Sequence, residues 1–143
     1  MNKALALLIA GIILFTLGLS AVAATHADFF TNPNKTLQVT QAAPTVTLKI
    51  KSNPSTGYSW FLVDYNPTLL VPVSHAFVPP IESKPGASGY ELWRFSIPAA
   101  AFVVPQMTEI TVQYRRPWVV SKTAESLKFT VMIEAPVNKN INQ

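Results

Sequence analysis

His75 is the only histidine well inside the mature chain, since His26 lies beside an expected processing site, so the chain is short of groups for proton transfer. A Ser-His-Asp set can be written with Ser74, His75 and Asp64, but Ser74 and His75 are adjacent and on a strand would point to opposite faces. The carboxylates Asp64, Glu82, Glu91, Glu109, Glu125 and Glu134 occur singly. Most are expected at exposed strand or loop positions, with Glu91 and Arg94 as an exposed polar pair of little energetic weight. There is no cysteine, which removes thiol nucleophiles, cysteine metal ligands and disulfide staples together. Gly86 and Gly89 neither follow a clear strand nor open a helix, so they do not form a phosphate-binding loop. These residues predict no enzyme, no metal and no cofactor.

The remaining distinctive residues suit recognition instead. Three turn-rich segments carry specific side chains: Asn53-Pro54-Ser55-Thr56-Gly57 with the following Tyr58, Gly86-Ala87-Ser88-Gly89, and Arg116-Pro117-Trp118. In the first, Pro54 fixes its own φ and pushes Asn53 towards extended backbone, while Gly57 can take positive φ without steric cost. The expected result is a stiff, projecting loop with short side chains. Trp118 follows Arg-Pro between two strand patterns and is expected to be partly exposed. Trp and Arg are the side chains that most often carry binding energy at interfaces. Trp60 and Trp93 fall inside strand patterns and are expected in the core or on a sheet face.

Those loops need a scaffold, and period-two alternation supplies it. A short strand is predicted around Leu37 and Val39, ending near Ala43-Pro44. Val46, Leu48 and Ile50 alternate with polar residues over Thr45 to Ser52, leading into the first loop. Tyr58 to Val63 leaves it. Leu69 to Val78 contains Pro72, so it is either an edge strand or a strand broken there. Pro79 to Ser88 is a long turn-rich connection, followed by a strand over Tyr90 to Ile97. Pro98 to Gln106 reads as a crossover or short edge piece whose Ala99 to Val104 run is unexpectedly apolar. Thr108 to Arg115 and Leu127 to Ile133 alternate cleanly. No segment keeps a helical period over ten or more residues. About seven strands with frequent turn signals predict two packed antiparallel sheets, an immunoglobulin-like β-sandwich without the disulfide.

The ends of the chain bound its setting. Lys3, the apolar run Ala4 to Leu19 and the small residues Ser20-Ala21-Val22-Ala23 read as a signal peptide over residues 1–23, with a second candidate site after Ala27. An uncleaved anchor is the alternative, because the run approaches bilayer-spanning length. Cleavage leads to a periplasmic or secreted product with no membrane contact. Residues 24–36 then form a flexible lead-in, 37–136 the sandwich and 137–143 a polar tail. About 120 residues suffice for one self-supporting core, so a monomer is expected. The net charge of +4 is scattered rather than gathered on one face, which argues against nucleic acid.

Together, Asn53-Pro54-Ser55-Thr56-Gly57-Tyr58, Gly86-Ala87-Ser88-Gly89 and Tyr114-Arg115-Arg116-Pro117-Trp118 resemble, in order and separation, the three signature loops of the chagasin-type inhibitors of papain-like cysteine proteases. Ser88 stands where that family favours glycine, and Ser55 where it often has threonine. The resemblance implies a reversible, tight-binding inhibitor on an immunoglobulin-like β-sandwich. It implies that Asn53 to Gly57 enters the protease cleft over the catalytic cysteine with Thr56 near the centre. The loops of Gly86 and Trp118 would grip the two walls. The competing expectation is a secreted adhesion module, with Trp118 and Tyr58 as stacking platforms for carbohydrate or protein.

Overall fold

The computed structural model describes residues 29–82, 84–119 and 123–136. The signal peptide, His26, the processing sites and the polar tail all lie outside the described residues. Eight strands follow one another: β1 Phe29–Phe30, β2 Leu37–Val39, β3 Thr45–Ser52, β4 Ser59–Tyr65, β5 Val71–Val78, β6 Gly89–Ser96, β7 Gln106–Arg115 and β8 Glu125–Ile133. Two short 3-10 turns, Pro54–Thr56 and Ala99–Phe102, complete the regular structure. The strands form two four-stranded sheets, ordered β1-β3-β6-β5 and β2-β8-β7-β4.

The alternation in β3 and β8 determines which side chains meet. Val46, Leu48 and Ile50 point inward from the first sheet, and Phe129, Val131 and Ile133 from the second. Phe95 on β6 and Ile110 and Val112 on β7 are fully buried between them. Each large apolar side chain so removed from water contributes about 1.5–3 kcal/mol, and with no disulfide in the chain this packing carries the fold. Trp60 is buried at 4% exposure, and Trp93 is packed half-buried against the core.

The sandwich, the lack of α-helix among the described residues and most strand bounds agree with the sequence pattern. Three features go beyond it. Phe29–Phe30, inside the lead-in, pairs parallel with Thr47 and Leu48, and β2 pairs parallel with β8. Each sheet is otherwise antiparallel, with one parallel strand on one edge. Alternation reports which face a residue takes but not the direction of its neighbour. The strand expected from Leu69 begins only at Val71, and Leu70 instead plugs the core at 0% exposure. Pro72 lies on β5, an edge strand, and the register slips between Pro72 and Ser74. An edge tolerates the missing N–H.

The apolar run Ala99 to Val104 also finds its reason. Ala101 and Phe102 close the end of the sandwich where the chain crosses from β6 to β7, at 3% and 1% exposure. Gln106 holds this crossover by donating from Nε2 to the Ala101 carbonyl at 2.8 Å.

Candidate functional site

Strand register brings the three distinctive loops to one pole. Ser52, the last residue of β3, is opposite Gly89, the first of β6. Ser59, the first of β4, is opposite Arg115, the last of β7. The β3–β4 loop is therefore flanked by the β5–β6 loop on one side and the β7–β8 loop on the other, and the crossover lies at the far pole.

The central loop is built from its own short side chains. Asn53 takes φ −130° and ψ 85°, outside the α region that a following proline disfavours, and Gly57 closes the 3-10 turn in the left-handed region at φ 79°. The carbonyl of Asn53 accepts from the Thr56 N–H at 3.2 Å and from Thr56 Oγ1 at 2.7 Å, and that of Pro54 accepts from the Gly57 N–H at 2.9 Å. Ser55 Oγ donates to Asn53 Oδ1 at 2.6 Å. Residues Pro54 to Tyr58 remain exposed. The five-residue loop Asn53 to Gly57 is thus internally bonded before any partner arrives.

Both neighbours brace it. Asn53 Nδ2 donates to the Gly86 carbonyl at 3.1 Å, tying the central loop to the β5–β6 loop. On the other side the Arg116 guanidinium lies 5.0 Å from the centre of the Tyr58 ring. Tyr58 packs on Tyr114 at 5.4 Å and Tyr114 on Trp60 at 5.0 Å, and the Tyr114 hydroxyl accepts from the Asn53 N–H at 3.1 Å. Arg115 lies 4.3 Å over the Phe61 ring and donates to the carbonyls of Pro117 and Val119, which bracket Trp118. Trp118 itself is 74% exposed.

Beneath the central loop is a buried carboxylate. Glu91 is 2% exposed, and its Oε1 accepts from Ser52 Oγ at 2.6 Å and from the Trp60 N–H at 3.0 Å. Its Oε2 lies 2.8 Å from His75 Nε2, and the His75 ring stacks on Trp93 with centroids 3.9 Å apart. Trp60 Nε1 donates to the Lys51 carbonyl at 2.9 Å. The exposed Glu91–Arg94 pair expected from sequence is therefore corrected. Residues three apart on a strand face opposite ways, and Glu91 shares the inward face of Trp93, Phe95 and Ile97. That alternation was the available signal for a carboxylate under the loop; Ser52 and Tyr114 gave none.

The second loop differs most from its motif. Gly86 is exposed with φ 78°, Ala87 and Ser88 are half-buried, and Gly89 is a buried strand residue. A Cβ on Gly89 would stand 2.3 Å from the Val78 carbonyl oxygen and 2.6 Å from the Phe77 ring, so its missing side chain serves close strand packing rather than an outward contact. Among the described residues, no group of three His, Cys, Asp or Glu is placed to hold a metal ion.

Residues 39–133 match the Chagasin family peptidase inhibitor I42, and the chain belongs to that family, whose members inhibit peptidases and are not enzymes. Its fold is similar to that of the cysteine protease inhibitor EhICP2 from Entamoeba histolytica, with a TM-score of 0.55 and 22% identity over 74% of this chain and 93% of that one. Amebosin gives a TM-score of 0.53 at 20% identity, over 76% of this chain and 96% of that one. PbICP-C, solved in complex with falcipain-2, gives 0.51 at 14% identity, over 74% and 98%. Comparison with curated proteins yields no match.

Proposed function

We propose that this protein is an exported, reversible, tight-binding inhibitor of papain-like cysteine proteases, acting through the pole formed by the β3–β4, β5–β6 and β7–β8 loops. The observation that carries the reading is the prebonded loop Asn53 to Gly57, braced from both sides within a chain of the chagasin family. The complex of PbICP-C with falcipain-2 supports a protease as the partner. Export rests on the apolar, small-residue N-terminus of the sequence.

The loop occupies the cleft with Thr56 near its centre. A protease cleaves a chain it can draw out and present to its nucleophile. Here the carbonyls of Asn53 and Pro54 are held inside the 3-10 turn, so presenting them breaks hydrogen bonds that Tyr114 and Gly86 reinforce from outside. The loop therefore fills the site without being cut, and its ordering cost is met during folding rather than on binding. Trp118 supplies a broad aromatic contact on one wall, and Arg116 a cation beside it. Of the two platforms the adhesion alternative would use, Tyr58 packs on Tyr114 and Arg116 while Trp118 is open; the family match is what favours the inhibitor reading.

Titration of the purified domain into papain with a fluorogenic substrate tests the proposal. Stoichiometric loss of activity, recovered on dilution, is the expected result. Full activity at a large molar excess of the domain refutes it.

A further inference from the structure

The segment from β5 into the β5–β6 loop carries no Asp, Glu, Lys or Arg between Val71 and Ile81. Its end is also exposed: Phe77 and Val78 are each 41% accessible, and Ile81 is accessible along its whole length. Single exposed apolar residues are ordinary, but here Phe77 and Val78 end an edge strand and Pro79 to Ile81 continue beyond it without a charge, where edges are usually guarded by charge. Charge resumes immediately beyond, at the ion-paired Glu82 and Lys84. An apolar centre with a polar rim is the composition of a contact surface.

The position of the run indicates what it meets. Phe77, Pro79 and Pro80 line a groove of about 240 Å³ whose other side is Asn53, Pro54 and Ser55 of the central loop. Phe77, Pro79 and Pro80 thus border the central loop, and Ile81 follows them directly in sequence, outside the groove lining and on the side away from Trp118. Pro79-Pro80 fixes two φ angles directly before Ile81, so the isoleucine is presented at little entropic cost. We infer that Phe77 to Ile81, where the chain enters the β5–β6 loop, extends the contact of that loop beyond Gly86, with Ile81 seated in an apolar hollow on the protease wall beside the cleft and selecting among proteases. This rests on the inhibitor reading above. The central loop meets the catalytic thiol that papain-like enzymes share, whereas Ile81 reaches a wall that the chemistry leaves free to differ.

The test compares the native sequence with Ile81→Ser and Trp118→Ala across papain and several papain-like proteases. Ile81→Ser is expected to raise the inhibition constant roughly ten- to a hundredfold for proteases with an apolar wall, and less than twofold for those with a polar one, with the thermal midpoint unchanged. Because the chain has no cysteine, Ile81→Cys carries a single polarity-sensitive fluorophore. Its emission is expected to shift to the blue on binding a protease whose thiol has been methylated. If Trp118→Ala weakens inhibition while Ile81→Ser changes no constant by twofold and the fluorophore stays in water, the surface is overturned and the inhibitor reading stands. An equal loss against every protease overturns the selective role. Absence of inhibition by the native sequence overturns both.

Discussion

Glu91 on β6 accepts a hydrogen bond from the backbone N–H of Trp60 on β4 at 3.0 Å, so one carboxylate oxygen joins the two sheets. The same oxygen takes the hydroxyl of Ser52, the last residue of β3 before the central loop, and Trp60 is the second residue of β4 after it. Glu91→Ala strands two buried donors and is expected to cost about 2–5 kcal/mol. Urea unfolding should show a lower midpoint with an unchanged slope. The predicted signature is a loss of inhibitory strength larger than the unfolded fraction explains, because the base of the loop loses its clamp. Inhibition in step with the folded fraction would separate Glu91 from loop geometry.

His75 completes that carboxylate from the exposed edge strand, and its coupling to Glu91 is measurable by a double-mutant cycle with His75→Ala and Glu91→Ala. A coupling of about 1–2 kcal/mol is expected for a hydrogen bond with one buried charged partner. A coupling within error of zero would mean that Glu91 is satisfied by Ser52 and Trp60 alone.

Gly86 and Gly89 belong to one motif in sequence but should respond differently. Gly89→Ala puts a methyl group against a backbone oxygen and an aromatic ring, and is expected to destabilise the fold by about 3 kcal/mol or more. Gly86→Ala meets no atom within 4 Å and bears only the cost of positive φ, about 1–2 kcal/mol. Thermal unfolding of both variants checks the contrast; equal shifts count against the packing role of Gly89.

Trp118 and Thr56 test the surface without touching the core. Trp118→Ala should leave the thermal midpoint within error and weaken protease binding by about 2 kcal/mol or more, the range of an aromatic hot spot. Thr56→Glu should weaken it further by placing a charge at the tip of the loop. Unchanged inhibition constants for both would contradict the proposed orientation.

Much of this molecule is legible in its residues, for reasons that can be named. β2 and β3 follow from alternation alone, since each has one dry face. The central loop follows from Pro54 and Gly57, whose backbone restrictions act locally. What alternation does not carry is pairing: the parallel docking of β1 and β2 depends on which edge remains open after the other strands have met. Glu91 went unread because a carboxylate in a strand suggests solvent, and only its partners on β3, β4 and β5 make burial tolerable. Gly89 reads as a loop residue until the register sets it beside Val78. The pole itself is a product of topology, invisible to any one segment.

The crossover at the far pole has a practical consequence. β8 runs away from the three loops and delivers residues 134–136 to the opposite end, about 30 Å from them at the usual rise of a nine-residue strand. A linker, label or solid support joined beyond that point faces away from Trp118 and Thr56. On the proposed reading, a fusion made at Pro136 starts from the end of the sandwich opposite the protease-binding loops.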